Sequence, residues 1–387
     1  MQIKEIVLKV TSLCNLNCNY CYVYNKGDFS YKSEPSIISE EIVIATLKGI
    51  EKYCKLQQIE KFLIIFHGGE PLLVGKDFYK DFIRYSEQII KSTELSFSLQ
   101  TNATLLDKDW CALFKELGIV FGSSLDGSEL SNQNRVFRKD GLPAYDKIIQ
   151  GIRTINKHVG SSSILSVINI DENPEIVYNH FKSIGISSAD FLFPDTTYDF
   201  PTQNINLYGD WLIQLFECWY NDDNNSKLYI RSFEIIVNLF LGNETRGNEV
   251  FGIKYNSVIS IKTNGNIEPV DSLKICNDGF TKTNLNILYN DIDEVFENQL
   301  ICKYHDAHQD LVLCEKCRTC VIKSICGGGQ LAHRYSSVNG FDNPSIYCFQ
   351  IFKFLVHVQN KIIGDLPTDL VSEIDIQRLT LSDYKKC

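Results

Sequence analysis

The chain has 387 residues, 44% of them hydrophobic and 22% charged, a globular composition with apolar content enough for two or three domains. A formal net charge of -10 argues against a nucleic-acid partner. No apolar run approaches the roughly 18 residues of a membrane span, and "MQIKEIVLKV" is too short and too charged for a signal peptide, so a cytoplasmic protein without a membrane partner is expected.

From the N-terminus, strand-like and helix-like stretches alternate. "IKEIVLKV" (3–10) is a β-rich apolar run, and 39–53 has helical spacing with Ser39 as N-cap. Strand 61–69 is followed by an amphipathic helix over 76–91, strand 95–102 by helix 107–117, and strand 119–127 by helix 143–158. Strand 163–169, helix 173–184 and strand 189–194 end the series. Six strands alternating with helices predict an α/β fold, a partial (β/α)6 barrel of parallel strands with ligands at their carboxyl ends. Beyond about 195 the pattern breaks into helices at 207–222 and 230–242 and an irregular stretch at 245–257. A Cys- and Gly-rich segment follows from 258, closed by an apolar helix over 346–363. The domains expected are a barrel (1–195), a helical bridging region (196–257), a Cys-rich domain (258–363) and a tail (364–387).

Fourteen cysteines in a reducing compartment point to metal ligands or redox groups rather than to a disulfide framework. They cluster unevenly. "SLCNLNCNYCYVYNKGD" (12–28) holds Cys14, Cys18 and Cys21 in the loop after the first strand, and Cys314, Cys317, Cys320 and Cys326 fall close together with Cys348 beyond. Cys54, Cys111, Cys218 and Cys387 stand apart and read as small buried side chains or bystanders. Structural zinc wants four closed ligands, and the first cluster has three, with His67 a fourth only if the fold delivers it. Three thiolates leave one iron of a [4Fe–4S] cubane open to a small molecule. Zinc and iron–sulfur both remain open on spacing alone, with the cluster favoured.

"CNLNCNYCY" resembles the signature of the radical S-adenosylmethionine (radical SAM) superfamily, and motifs at the later strand ends agree with it. The resemblance implies an open-site [4Fe–4S] cluster on Cys14, Cys18 and Cys21, with SAM bound beside it. "GGEP" (Gly68, Gly69, Glu70, Pro71) resembles the superfamily's glycine motif, whose backbone and Glu70 would hold the methionine amino group. "QTN" brings Asn102 to the same rim. "SLDG" (124–127) resembles the ribose-contacting strand, with Ser124 and Asp126 at its end. Arg135 in "NQNR" stands where peptide-modifying members keep an Arg for the methionine carboxylate, a bidentate match. Tyr20 would present backbone to the adenine.

"CRTCVIKSICGGGQLAHRYSSVNGFDNPSIYC" (317–348) resembles the SPASM domain of peptide-modifying enzymes. This implies an auxiliary [4Fe–4S] cluster on Cys317, Cys320, Cys326 and Cys348, with zinc as the alternative. The sequence departs from the SPASM pattern at Gln330 and Val270, where cysteines are expected. That puts a second auxiliary cluster in doubt, although Cys276, Cys302 and Cys314 could supply substitute thiolates. Asp271 stands where similar anaerobic sulfatase-maturing enzymes keep a general base.

The run "YCYVYNKGD" together with "GGGQLAHRYSSVNGFDNPSIYC" is similar to maturases of ribosomally made peptides that form three-residue cyclophanes. The resemblance implies a C–C bond between an aromatic ring and the β-carbon of a nearby residue, with loss of two hydrogens. Its partners would be a precursor peptide and an electron donor such as flavodoxin or ferredoxin. The alternatives are aromatic ether or C–C crosslinking of bicyclic peptides, and oxidation of Cys or Ser to formylglycine. A non-catalytic iron–sulfur scaffold would need no SAM pocket.

Overall fold

The computed structural model describes residues 1–243, 247–367 and 377–387. In chain order its strands and helices are β1 (Glu5–Thr11), α1 (Glu40–Gln57), β2 (Lys61–Gly68), α2 (Lys76–Ile89), β3 (Glu94–Thr101), α3 (Lys108–Glu116) and β4 (Ile119–Ser124). Next come α4 (Tyr145–His158), β5 (Ser163–Val167), α5 (Pro174–Ser183), β6 (Ser188–Leu192), α6 (Tyr208–Tyr220), β7 (Tyr229–Ile230) and α7 (Arg231–Phe240). The last are β8 (Val258–Ile261), β9 (Ile267–Glu268), α8 (Gln299–His305), α9 (Glu315–Thr319), α10 (Lys323–Cys326) and α11 (Cys348–Asp365). Every expected strand and helix of the alternating half is present. Of the expected tail, residues 368–376 lie outside the described residues. Among the described residues no helix is long and apolar enough to cross a membrane.

Two compact units interleave along the chain. The first comprises Met1–Ser166, Ile184–Ile186 and Asn256–His305, and the second Val167–Ser183, Ser187–Tyr255 and Asp306–Cys387. Residues 258–305, expected in the Cys-rich domain, therefore belong with the first unit. The reason is pairing: β8 lies parallel to β1, with Glu5 opposite Val258 and Leu8 opposite Ile261.

In the first unit the strands run β5-β4-β3-β2-β1-β8-β9, all parallel except β9, which returns antiparallel to β8. Parallel strands buried on both faces need continuous apolar runs, and Ile6, Leu8, Ile64, Phe66, Leu99 and Ile259 are buried accordingly. The helices start where the sequence caps them. Ser39 accepts from Ile42 N–H and Asp107 from Trp110 N–H, which satisfies donors that the first turn leaves free. β1 departs from apolar character at Lys9, which is buried and ion-paired with Asp271. The β1–β2 register shifts between Lys9 and Thr11, setting Thr11 opposite Gly68. That shift brings the cysteine loop beside the turn that follows β2.

In the second unit β6 and β7 pair in parallel. Helices α5, α6, α7 and α11 pack around aromatic side chains, with Phe233 set against Phe216, Trp219 and Phe354.

Candidate active site

The loop after β1 holds its three thiols by local backbone bonds. Cys21 N–H donates to Cys18 O at 3.1 Å and Asn25 N–H to Cys21 O at 2.8 Å, while the Asn25 amide reaches Cys18 O at 2.7 Å. All three cysteines are half-buried. Burial pushes the Cys14 thiol up to about 12 and Cys18 up to about 11, the latter opposed by the nearby Arg135 cation. Protein groups alone do not hold these sulfurs as thiolates. Metal binding would have to displace their protons.

The turn after β2 explains its two glycines. A Cβ on Gly69 would lie 2.2 Å from Leu13 O and 2.1 Å from the Tyr24 hydroxyl, and one on Gly68 would lie 2.3 Å from Thr11 O. Only bare backbone lets this turn close on the cysteine loop, where Gly69 N–H donates to Thr11 O and Glu70 N–H to Leu13 O. The Glu70 side chain, expected to meet the methionine amino group, also takes donors from the protein. Its carboxylate is fully buried and accepts from Thr101 Oγ1 at 2.7 Å, Asn102 N–H at 2.8 Å and Leu72 N–H at 3.1 Å. Glu70 thus ties the end of β2 to the end of β3. Burial raises its carboxyl to about 7 despite these donors. Pro71 opens the 3-10 turn Pro71–Val74, and its carbonyl accepts from Tyr79.

Asn102 joins the loop directly, donating to Asn15 Oδ1 at 2.8 Å and lying 3.9 Å from Cys14 Sγ. Ser124 closes β4 and its hydroxyl accepts from Gln100 at 2.9 Å. Arg135 is buried, and its guanidinium grips Asp126 rather than standing free. The Tyr20 hydroxyl donates to the same carboxylate, with the guanidinium 5.5 Å from its ring centroid. The Tyr20 side chain is thus tied into the buried Asp126–Arg135 pair. Thr101, Asn15 and Arg138, which reaches the carbonyls of Cys14 and Leu16, were not singled out from sequence. Nothing in their spacing marks them, because their roles arise from strands adjacent only in space.

His67 is not a cysteine-loop partner. Its Nδ1 accepts from Gly68 N–H and sits 3.1 Å from Lys9 Nζ, and burial plus that cation push the ring down to about 3. Lys9 bonds Asp271, whose other oxygen lies 3.5 Å from Lys262 Nζ, and Lys262 in turn pairs with Glu34 at 3.4 Å. Burial alone would raise the Asp271 carboxyl; Lys262, Lys9 and Lys274 outweigh it and hold it well below the usual carboxylate range. Sequence alone did not show these buried lysines.

Among the later cysteines, Cys276 is buried in the first unit, where the Cys302 thiol donates to Phe296 O at 3.0 Å. In the second unit Cys317, Cys320, Cys326 and Cys348 line one pocket together with Lys316, Gly328 and Cys387. Cys314 stands beside it, buried together with Leu313 and Cys317 and with a free thiol. No three His, Cys, Asp or Glu side chains among the described residues close on a single metal ion.

Next to the thiols lies Arg334, fully buried, donating to the carbonyls of Ala307, Gly327, Gly328 and Gly329. Gly327, Gly328 and Gly329 all have left-handed φ, and a Cβ on Gly328 would lie 2.5 Å from Leu313 and 2.8 Å from Arg334. A buried cation whose donors all go to neutral carbonyls, beside several thiols, suits a group of net negative charge. A thiolate-ligated iron–sulfur cluster is such a group.

Residues 8–184 match the family described as the Radical SAM superfamily. The chain is 25% identical over 362 residues to a cysteine-type anaerobic sulfatase-maturating enzyme of Clostridium novyi, covering 89% of this chain and 91% of that protein. A serine-type counterpart from Bacteroides thetaiotaomicron is 33% identical over 190 residues, 48% of this chain and 45% of the other. A solved structure of anSMEcpe with bound AdoMet and a Kp18Cys peptide shares the fold, with a TM-score of 0.77 at 23% identity over 93% of this chain and 98% of that one. The α/β fold is thus the mostly parallel partial barrel expected, accompanied by a Cys-rich C-terminal region. Residues 8–184 thus carry the likeness to the radical SAM superfamily, and the chain is an enzyme that uses a [4Fe–4S] cluster and S-adenosylmethionine.

Proposed function

We propose that the enzyme oxidises a Cys or Ser side chain of a peptide substrate to an aldehyde, the chemistry of an anaerobic sulfatase-type maturase. The observation that carries the reading is the three-thiol loop seated against Gly68–Gly69 at the strand ends, in a chain similar over most of its length to sulfatase-maturating enzymes. This displaces cyclophane formation as the first reading.

In this proposal Cys14, Cys18 and Cys21 hold the open-site cluster, and Cys317, Cys320, Cys326 and Cys348 surround an auxiliary one. Cys276 and Cys314 are reserve thiols. Bound there, the cluster and SAM supply a radical that abstracts hydrogen from carbon. The chain's own residues bind and orient. The Gly68–Gly69 backbone and Asn102 border the methionine end, Ser124 the ribose, and the Tyr20–Asp126–Arg135 group fixes the wall between them.

Asp271 is the base in this proposal. Its ion pairs keep it charged and make it a weak base, but a weak base suffices. Once a hydrogen atom has left carbon, the neighbouring S–H or O–H is far more acidic, and the proton can pass to Asp271 Oδ1. The surplus electron left on the substrate would pass to the auxiliary cluster that Cys317, Cys320, Cys326 and Cys348 would hold, giving the aldehyde from Ser and a thioaldehyde from Cys, which water hydrolyses with release of sulfide. An external donor such as flavodoxin or ferredoxin supplies the starting electron.

Aromatic crosslinking to a cyclophane is the second reading, favoured by Val270 and Gln330 standing where the sulfatase-type pattern has cysteines. One experiment separates the two. The anaerobically loaded enzyme is given SAM, reductant and peptides carrying Cys, Ser or aromatic residues, and the products are fragmented by mass spectrometry. A hydrazide-reactive aldehyde at Cys or Ser is expected. Loss of two hydrogens with fragment ions missing across an aromatic-containing stretch would replace it with crosslinking.

A further inference from the structure

The thiol pocket of the second unit holds one sulfur more than a cubane cluster uses. A [4Fe–4S] core takes one thiolate per iron, yet Cys317, Cys320, Cys326, Cys348 and Cys387 all line this pocket. The fifth is not a stray side chain. Thr380 and Asp383 form a reciprocal capping box that starts the 3-10 turn Leu381–Lys386, and Cys387 follows directly. Leu379 is bonded through both its N–H and its carbonyl to Gln359 and Asn360 of α11. The Tyr384 ring packs edge-on against Phe349 and Phe352 with centroids 5.0 and 5.3 Å apart, and Lys316 Nζ lies 3.9 Å over its face. These contacts anchor the turn on α11 and deliver Cys387 to the pocket that Cys320 also lines, with its thiol donating to Asp383 O at 3.9 Å. The Tyr384 hydroxyl at the same time bonds Cys348. One short turn therefore handles both candidate fourth sulfurs.

We propose that Cys387 is a ligand of the auxiliary cluster that exchanges with Cys348, either thiolate filling the fourth position beside Cys317, Cys320 and Cys326. The exchange balances. One Fe–S bond to Cys348 breaks as one to Cys387 forms, and the proton leaving the Cys387 thiol goes to the released Cys348 sulfur, with no change in oxidation state. Such an exchange would let the pocket keep its cluster while presenting two ligand arrangements. The inference goes beyond the proposed reaction, and it holds or fails whatever peptide product the enzyme makes.

The test reads the cluster itself. In the full chain carrying C14A, C18A and C21A, only the auxiliary site remains, and anaerobic reconstitution is followed by iron and sulfide content and by the EPR spectrum of the reduced protein. C348A and C387A are each expected to keep about four iron and four sulfide per chain, with g values shifted from the parent in at least C387A or C348A. The C348A/C387A double variant is expected to lose both. Serine variants at the same positions, checked by circular dichroism, separate ligand loss from misfolding. Loss of the cluster in C348A alone would overturn the exchange. So would a double variant that keeps its cluster, zinc without sulfide in the parent, or a parent that binds no iron. Aldehyde formation by the wild-type chain is scored separately.

Discussion

Arg135 holds Asp126 by two hydrogen bonds, Nε to Oδ2 at 2.7 Å and Nη2 to Oδ1 at 2.8 Å, with both side chains buried. The sequence pattern offered the guanidinium to a ligand carboxylate, but its fork already faces a protein carboxylate that also takes the Tyr20 hydroxyl. Breaking a buried pair from one side leaves the other charge uncompensated, at about 3–5 kcal/mol. D126N is therefore expected to lower the melting temperature markedly and to weaken SAM binding at least about tenfold, roughly 1.4 kcal/mol. R135K, which keeps the charge but not the fork, should fall between D126N and wild type. Calorimetry and equilibrium dialysis with SAM check both. Wild-type SAM affinity in D126N would show that the pair does not shape the site.

Gly69 fixes how close the cysteine loop can come. A methyl group there meets backbone at Leu13, which cannot swing aside as a side-chain tip can. G69A is expected to push the loop off the end of β2 and to cut the iron bound at Cys14, Cys18 and Cys21 by about half or more, because the close approach that bare backbone permits is lost. Y24F in the same background removes only the hydroxyl contact, so it should not restore the iron. Iron analysis of a variant lacking the later thiols isolates this loop. Full iron content in G69A would overturn the packing account.

How much of this could be read in the sequence divides by range. The alternation of strands and helices through 194 was legible because each element carries its own period and caps, as at Ser39 and Asp107. The cysteine loop and the Gly–Gly turn were legible as short motifs. The roles of Glu70 and Arg135 were not, because their partners Thr101 and Asp126 stand 31 and 9 residues away and pairing geometry decides which contact forms. Lys9 looks like a lone charge in an apolar strand. Only the placing of β8 beside β1 shows why Lys9, Lys262 and Asp271 share one buried network. Cys387 was passed over as isolated, since 38 residues of sequence separate it from Cys348.

Asp271 between two buried lysines makes a separable prediction. D271N keeps the shape but leaves Lys9 and Lys262 without their shared countercharge. If Asp271 takes the substrate proton, D271N should still cleave SAM to 5′-deoxyadenosine while peptide oxidation falls by about 100-fold or more. Because the lysines hold the carboxyl well below its ordinary range, no acid limb in the wild-type rate between about pH 5 and pH 8 should come from Asp271. Parallel losses of both products in D271N would reassign Asp271 as a purely structural counter-ion.

Three buried histidines set the sign of the protein's acid sensitivity. Burial pushes His67 and His333 down to about 3 and His308 to about 4, with Lys9 adding to the effect at His67 and Arg334 at the other two. An unfolded chain takes up these protons near pH 6.5, whereas the folded one resists them, so each ring stabilises the fold fully above about 6.5 and progressively less as pH falls toward 3–4. Glu70 opposes this. Its carboxyl is raised to about 7, so its contribution is present below the ordinary value and is lost as pH rises through 7. Three groups outweigh one, each changing stability by at most about 1.4 kcal/mol per pH unit. The metal-free protein, where no cluster loss overlays the titration, should melt progressively lower from pH 7 to pH 5. His333 packs edge-on between Phe193 and Tyr347, and its Nε2 has no hydrogen-bond partner among the described residues. H333F should therefore fit the space and flatten the pH slope of the second unit's transition. A melting temperature that is flat or rises toward pH 5, or an H333F slope equal to wild type, would show that these rings do not control it.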